Sequence, residues 1–330
     1  MKLNIKDRKI LYELDKNSRI SLTELGKRVQ MSKESLHYRL NKLIEEKIIL
    51  KFHTVPAHYR FGTIDYKVYV RLQDITNEEY DELTNFLIEN KEVFWVSPCN
   101  GRWDLMFGIR ATEMNEFFRI HDILLDKFSK YIQEKELSVS RRALQFNRRW
   151  MLETKEERKS FDFGEQEEKI ILDKEDRLIL NELVNDSRKK IIDIAKNTHL
   201  SVDVVKYRIK KMEKQQIIKG YKCLFNAEKL GLVASKAFVY FKNIDEKRKR
   251  QFIEKVKLLD NSVNIVTTFA PWDLEIIFET ESYEKYCRIM EKLKGDFSDI
   301  IKFYESVLMK GEVKQEFDRT TTVVIDKKGK

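Results

Sequence analysis

The sequence predicts an α+β fold of two tandem units, each a winged helix-turn-helix followed by a ferredoxin-like βαββαβ domain. The first observation behind this is a repeat: residues 7–19, DRKILYELDKNSR, return as 176–188, DRLILNELVNDSR, a displacement of 169. At that displacement Ser32 falls on Ser201, Tyr38-Arg39 on Tyr207-Arg208, Gly62 on Gly231, and Trp103-Asp104-Leu105 on Trp272-Asp273-Leu274, without a gap. So long a period marks a duplicated domain rather than a solenoid. The second is a pair of closely joined helix starts, Ser21 and Ser32. The third is a change near Thr63 from helical spacing to strand alternation.

The expected elements run in order. Ile10, Leu11 and Leu14 form the apolar side of a first helix over about 6–14. Ser21, with Glu24 three residues on, starts a second helix; Ser32 caps a third that runs to Leu43. On that third helix Leu36, Leu40 and Leu43 share one face, while Lys33, Glu34, His37 and Asn41 share the other. A helix with one core face and one face of long polar donors, held tightly to a bracing helix, fits a DNA groove. The run Ile48–Val55 then suits a small hairpin or wing, flanked by Lys47, Lys51 and Arg60.

From Tyr66 the residues alternate as a strand through Leu72. Thr76 and Glu79 form a capping box for a helix to Glu89. Val93–Ser97 reads as a second strand, Asn100-Gly101-Arg102 as a turn, Trp103–Ala111 as a third strand, and Thr112 opens a helix to Phe128. A long strand, Ile132 to Phe146, closes the unit. Such a sheet covers one face with two helices and leaves the other bare, so the two sheets of one chain are expected to stack. The second copy repeats the order from Ala234 to Lys310.

The domain boundaries expected are 1–60 and 61–151 for the first copy, a charged, exposed linker at 152–173, 174–230 and 231–312 for the second copy, and a polar tail at 313–330. The dense basic stretch from Arg141 to Arg149 reads as a charged edge strand or as an additional DNA path.

Lysine and arginine total 64 against 55 acidic residues, leaving +9, which favours a polyanionic partner. An apolar content of 42% suffices for packed cores. No apolar run approaches the roughly 18 residues of a membrane span, and Met1–Lys9 has no signal-peptide character; a cytoplasmic, membrane-free protein is expected. Three scattered cysteines and five histidines show no metal or disulfide spacing, and no phosphate loop or nucleophile motif appears. No cofactor, metal or catalytic residue is therefore expected.

Phosphate contacts position a reader and base contacts specify it. On the first recognition helix, Lys33, His37 and Asn41 are expected in the groove, with Tyr38, Arg39 and Lys42 on the backbone. In the copy the groove set is Val202, Lys206 and Lys210, and the backbone set Tyr207, Arg208 and Lys211. The backbone residues match and the groove residues do not, so an asymmetric operator is expected. Arg39 and Arg208 have an alternative role, a salt bridge to a carboxylate such as Glu13 or Glu182.

The winged helix-turn-helix, the βαββαβ order and the turn Gly101-Arg102-Trp103-Asp104-Leu105 resemble the Lrp/AsnC, or feast/famine, family of transcription regulators in a tandem, archaeal form. The resemblance spans Lys6–Phe146 and Lys174–Lys310. It implies double-stranded DNA as partner and a RAM-type sheet domain through which chains form homo-oligomers. It also implies an amino-acid effector near the strand turn, where Gly101, Arg102, Asp104 and Asp273 would stand. The second copy departs by carrying Ala270-Pro271 where the first has the glycine turn. Lys47 and Gln216 stand where family members often have a left-handed glycine after the recognition helix. Two alternatives accompany this reading. One is a low-specificity chromatin-organising protein; the other is a siroheme decarboxylase-like enzyme that would recruit His53, His58 or Arg60 around a tetrapyrrole.

Overall fold

A computed structural model of the chain describes residues 3–152, 158, 160–164, 168–243 and 245–315. The first three helices are α1 (Ile5–Lys16), α2 (Leu22–Val29) and α3 (Lys33–Glu45), and each opens on a side chain that accepts backbone N–H groups: Asn4, Ser21 and Ser32. Their shared core holds Ile10, Leu11, Leu14, Leu25, Leu36, Leu40 and Leu43, all nearly inaccessible to solvent. The second copy builds α6 (Lys174–Val184), α7 (Ile191–Thr198) and α8 (Val202–Lys214) around Ile179, Leu183, Val205, Ile209 and Met212.

Lys47 and Gln216, just past α3 and α8, lie at φ 55° and 56°. A residue with a Cβ is held there in the left-handed region at a cost of about 1–2 kcal/mol. Lys47→Gly and Gln216→Gly are each expected to stabilise the chain by about 0.5–1 kcal/mol in chemical denaturation.

The expected wing hairpin does not form within either copy. β1 (Ile49–Pro56) is one strand and pairs antiparallel with its own duplicate, β7 (Ile218–Phe225), with His53 opposite Lys222. One strand from each copy makes the ribbon, because each unpaired strand finds its complement across the chain. Ser18 and Ser187, also duplicates of one another, share a 2.6 Å hydroxyl hydrogen bond. Arg19 donates to the carbonyls of Ser187 and Lys189, and Arg188 returns the contact to Ser18 and Ile20.

The sheet of the first copy runs β2 (Ile64–Leu72), α4 (Asn77–Glu89), β3 (Val93–Gly101), β4 (Leu105–Ala111), α5 (Met114–Phe128) and β5 (Ile132–Phe146). A short strand, β6 (Ser160–Phe163), adds to β5. The second copy runs β8 (Val233–Phe241), α9 (Glu246–Leu258), β9 (Ser262–Phe269), β10 (Leu274–Thr280), α10 (Tyr283–Asp296) and β11 (Ile301–Met309). The bare faces meet as expected, burying Tyr69, Trp95, Trp103, Met106, Phe238 and Trp272 between them. They also join at both edges, β5 with β9 and β3 with β11, so the eight strands close into a ring. Gly101 serves this closure: at φ 129° a Cβ there would lie 2.7 Å from the Ser306 carbonyl oxygen on β11.

Closure corrects three expectations. β5 is flanked on both sides and is not an edge strand. Three of the four arginines of its basic stretch are paired locally, Arg142 with Asp162, Arg148 with Asp15 and Glu279, and Arg149 with Asp260, which argues against a DNA path there; Arg141 is exposed. Of the stretch expected as an exposed linker, Phe161 and Phe163 lie on β6 and Leu172 is buried beside α6, while Glu168, Lys169, Ile171 and Asp173 are exposed; residues 153–157, 159 and 165–167 lie outside the described residues. Of the tail, β12 (Lys314–Gln315) pairs with β3, and Lys314 donates to the Ile88 and Asn90 carbonyls. Residues 316–330 lie outside the described residues. Thr112 does not cap α5; its N–H and hydroxyl both donate to Glu116.

Candidate nucleic-acid interface

Burial of Leu36, Leu40 and Leu43 fixes the rotation of α3, so Lys33, His37, Tyr38, Asn41 and Lys42 face outward. They line one shallow surface groove with Glu34, Glu45 and Glu46. Asn41 and His37, one helical turn apart, are 3.3 Å from each other through their side-chain nitrogens. Glu34, at the first turn, is held below the usual carboxylate range by backbone and Ser32 hydrogen bonds, the bland helix-start role. On α8, Lys206, Tyr207 and Lys210 are exposed in the same way, while Val202 is half-buried. Tyr38 and Tyr207 are both 68% exposed, too open for core residues, which leaves them free for a partner.

Three of the expected phosphate contacts are otherwise engaged. Arg39 donates to Asp7 at 2.8 Å. Arg208 pairs with Asp173, Glu175 and Asp176, and Lys211 approaches Asp176 at 3.5 Å. The internal salt bridge thus forms, but with carboxylates of α1 and of the turn before and into α6 rather than with Glu13 or Glu182. Those two pair with Arg28 and Lys189. The reason is geometric: the helix-start carboxylates Asp7 and Asp176 sit directly beneath the arginine row of the recognition helices.

The four residues of the expected effector turn each have a structural task. Gly101 admits β11. Arg102 forms a two-pronged pair with Glu134 and stacks 4.7 Å over the Trp103 ring. Asp104 accepts the Leu72 N–H at 2.8 Å, and Asp273 accepts the equivalent Phe241 N–H at the same distance.

A feature that sequence reading missed lies where β1 meets the sheets. A cavity of about 420 Å³ is walled by Pro56, His58 and Tyr59 on one side and by Asp65, Lys67, Arg110 and Lys236 on the other. Arg110, 2% exposed, donates from Nε and Nη2 to the two Asp65 oxygens at 2.6 and 2.9 Å; His58 Nε2 lies 3.1 Å from Asp65. Burial and the Arg110 charge hold His58 below the ordinary histidine range, against the pull of Asp65. Burial pushes Lys236 down to about 8, against the pull of Glu275 at 3.2 Å. The signal available in the sequence was a failure of the repeat: at the displacement of 169, His58, Asp65 and Arg110 become Ala227, Ala234 and Glu279.

His53, His58 and Arg60, the alternative tetrapyrrole candidates, stand in different surroundings. His53 lines an adjoining cavity that shares Gln145, Asn264 and Glu312 with this one, His58 lines this one, and Arg60 donates to the Gln215 carbonyl at 2.7 Å. Among the described residues no group of three metal-ligating side chains exists, and no helix is long and apolar enough to cross a membrane.

A family model described as winged helix-turn-helix DNA-binding matches residues 3–49 and 172–219. An uncharacterised HTH-type transcriptional regulator of Pyrococcus horikoshii is 31% identical over 117 residues, covering 34% of this chain and 77% of the relative. A proline dehydrogenase transcriptional activator of Rhizobium radiobacter is 29% identical over 116 residues, 34% of this chain and 74% of the relative. In three dimensions the chain is similar to a siroheme decarboxylase, NirDL, with a TM-score of 0.61 and 11% identity, over 96% of this chain and 97% of that one. At that identity the likeness is one of fold.

Proposed function

Because the chain belongs to the Lrp/AsnC family of winged helix-turn-helix transcription regulators, we propose that it is a sequence-specific reader of double-stranded DNA and not an enzyme. It acts as an intrachain pseudo-dimer with two non-identical recognition helices. The observation that carries this is the reciprocal joint between the copies, the β1–β7 ribbon with the Ser18–Ser187 and Arg19/Arg188 contacts. It ties two helix-turn-helix units into one body, as a subunit contact would in a symmetric dimer. Lys33, His37 and Asn41 of α3 and Lys206 and Lys210 of α8 read base edges; Tyr38, Lys42 and Tyr207 grip phosphate. Because each sheet already has its partner inside the chain, further oligomerisation and an amino-acid effector are not needed for this core activity.

Selection from random duplexes with the full chain is the test. It is expected to return an asymmetric site whose two halves differ; a perfect palindrome as the preferred site contradicts the two-reader account. Random and selected duplexes compared at one salt concentration separate a site-specific reader from a low-specificity chromatin organiser.

A second reading, an enzyme acting on a carboxylated tetrapyrrole, is favoured by one observation, the enclosed His58–Asp65–Arg110 cluster. Siroheme added to the chain discriminates: the regulator reading expects no new visible absorption band, and a saturable band supports the enzyme.

A further inference from the structure

We propose that the cavity beside β1, and not its duplicate, is a binding site for a small organic anion that offers a carboxylate to Arg110 and an apolar body to the walls. Its existence does not depend on DNA binding. Among the described residues, six lysine and arginine side chains line the cavity against three carboxylates, Asp65, Glu275 and Glu312. The third guanidinium nitrogen of Arg110, Nη1, is buried and has no hydrogen-bond partner, and neither do Ser140 Oγ, which also lines the cavity, and Asn264 Oδ1, on a residue that lines both this cavity and its duplicate. A buried charged donor left open costs more than a neutral one, so a cluster of open polar atoms around one cavity marks a place for a polar guest. Phe94, Trp95, Phe163 and Val266 supply the apolar surface. Cations at the walls and rings beside them match an organic carboxylate better than inorganic phosphate, which has no apolar body to bury.

The repeat supplies the control. The duplicate cavity, about 330 Å³, carries Ala227, Ala234 and Glu279 where the first has His58, Asp65 and Arg110. Its charge balance is reversed: Arg148 and Lys310 face Glu228, Glu279 and Glu312. Glu279 is moreover occupied by Arg148 and Trp150. One ancestral cavity has therefore diverged into a cationic version with an open donor and an acidic version whose Glu279 is held by Arg148.

Isothermal titration of the full chain, without DNA, with benzoate, phthalate, citrate and inorganic phosphate tests this. At least one organic carboxylate is expected to bind saturably, one per chain, and more tightly than phosphate. Ala143→Leu narrows the proposed cavity without touching a charge and is expected to weaken that binding about tenfold or more; Ala234→Leu, in the duplicate cavity, is expected to leave it unchanged. Arg110→Lys keeps the charge beside Asp65, removes the forked donors and is expected to weaken binding similarly, with thermal melting checking that each variant folds. Binding by none of the four, phosphate binding as tightly as the carboxylates, or equal effects of Ala143→Leu and Ala234→Leu would each overturn the proposal. Since no DNA is present, a failure here leaves the DNA-reading account standing, and the reverse holds too.

Discussion

Replacing Asp15 with asparagine is expected to destabilise the chain by about 3–5 kcal/mol, because it strips the counter-charge from buried cations. Asp15, on α1, is fully buried and accepts from the Arg148 backbone N–H at 2.8 Å, from Arg148 Nη1 at 3.0 Å and from Lys222 Nζ at 3.0 Å. Arg148 also pairs with Glu279. The four residues therefore clip the first helix-turn-helix to the ribbon strand β7 and to the sheet strand β10. Burial alone would raise the Asp15 pKa, but the Lys222 and Arg148 charges hold it below the usual value. Chemical denaturation measures the loss. The double variant Asp15→Leu/Lys222→Met, which removes the ion pair whole, is expected to recover much of it.

The same cluster shapes the pH profile. His53 faces Lys222 across the ribbon, and burial with the Lys222, Lys51 and Arg148 charges pushes its pKa down to about 3. Its folded pKa thus lies below its unfolded one. Stability is complete above about pH 6.5 and is lost as the pH falls toward 3, by about 1.4 kcal/mol per unit for each such histidine. His53→Gln should flatten that slope by one proton; an unchanged slope would place the titrating group elsewhere.

Removing the groove cations of one reader, Lys206→Ala with Lys210→Ala, is expected to cost about 1–3 kcal/mol per lost base contact and to relax preference in one half-site only. Lys42→Ala is expected to weaken all duplexes alike and to reduce the magnitude of the salt slope by about 0.9. Arg39→Ala should behave differently. Its guanidinium rests on Asp7, so the salt slope should stay where it is while the three-helix core loses stability. Affinities taken over a salt series separate these outcomes.

The duplication, most helix starts and the order of elements are legible in the sequence because they rest on local chemistry; the start of α5, where Thr112 does not cap, is the exception. Ser32 caps α3, Thr76 and Glu79 close their capping box, and β5 runs from Ile132 to Phe146 as its alternation says. The ribbon and the closed ring are not legible, because the run from Ile49 to Pro56 carries the same propensity whether its partner is a neighbouring turn or a duplicate far along the chain. The commitment of Arg39 to Asp7 is hidden for a similar reason: 32 residues separate them, and only the packed helices bring them together. The left-handed positions of Lys47 and Gln216 could be read from family pattern alone, with the wrong residue type in place. For the cavity the clue was present but inverted, since His58, Asp65 and Arg110 stand out only by failing to repeat.

Hydroxyl-radical footprinting of the full chain on its selected duplex probes two joined readers most directly. The account predicts two protected windows on one face of the duplex, a whole number of helical turns apart, with Lys206→Ala/Lys210→Ala erasing one and sparing the other. A single window, or two that fade together, would contradict it.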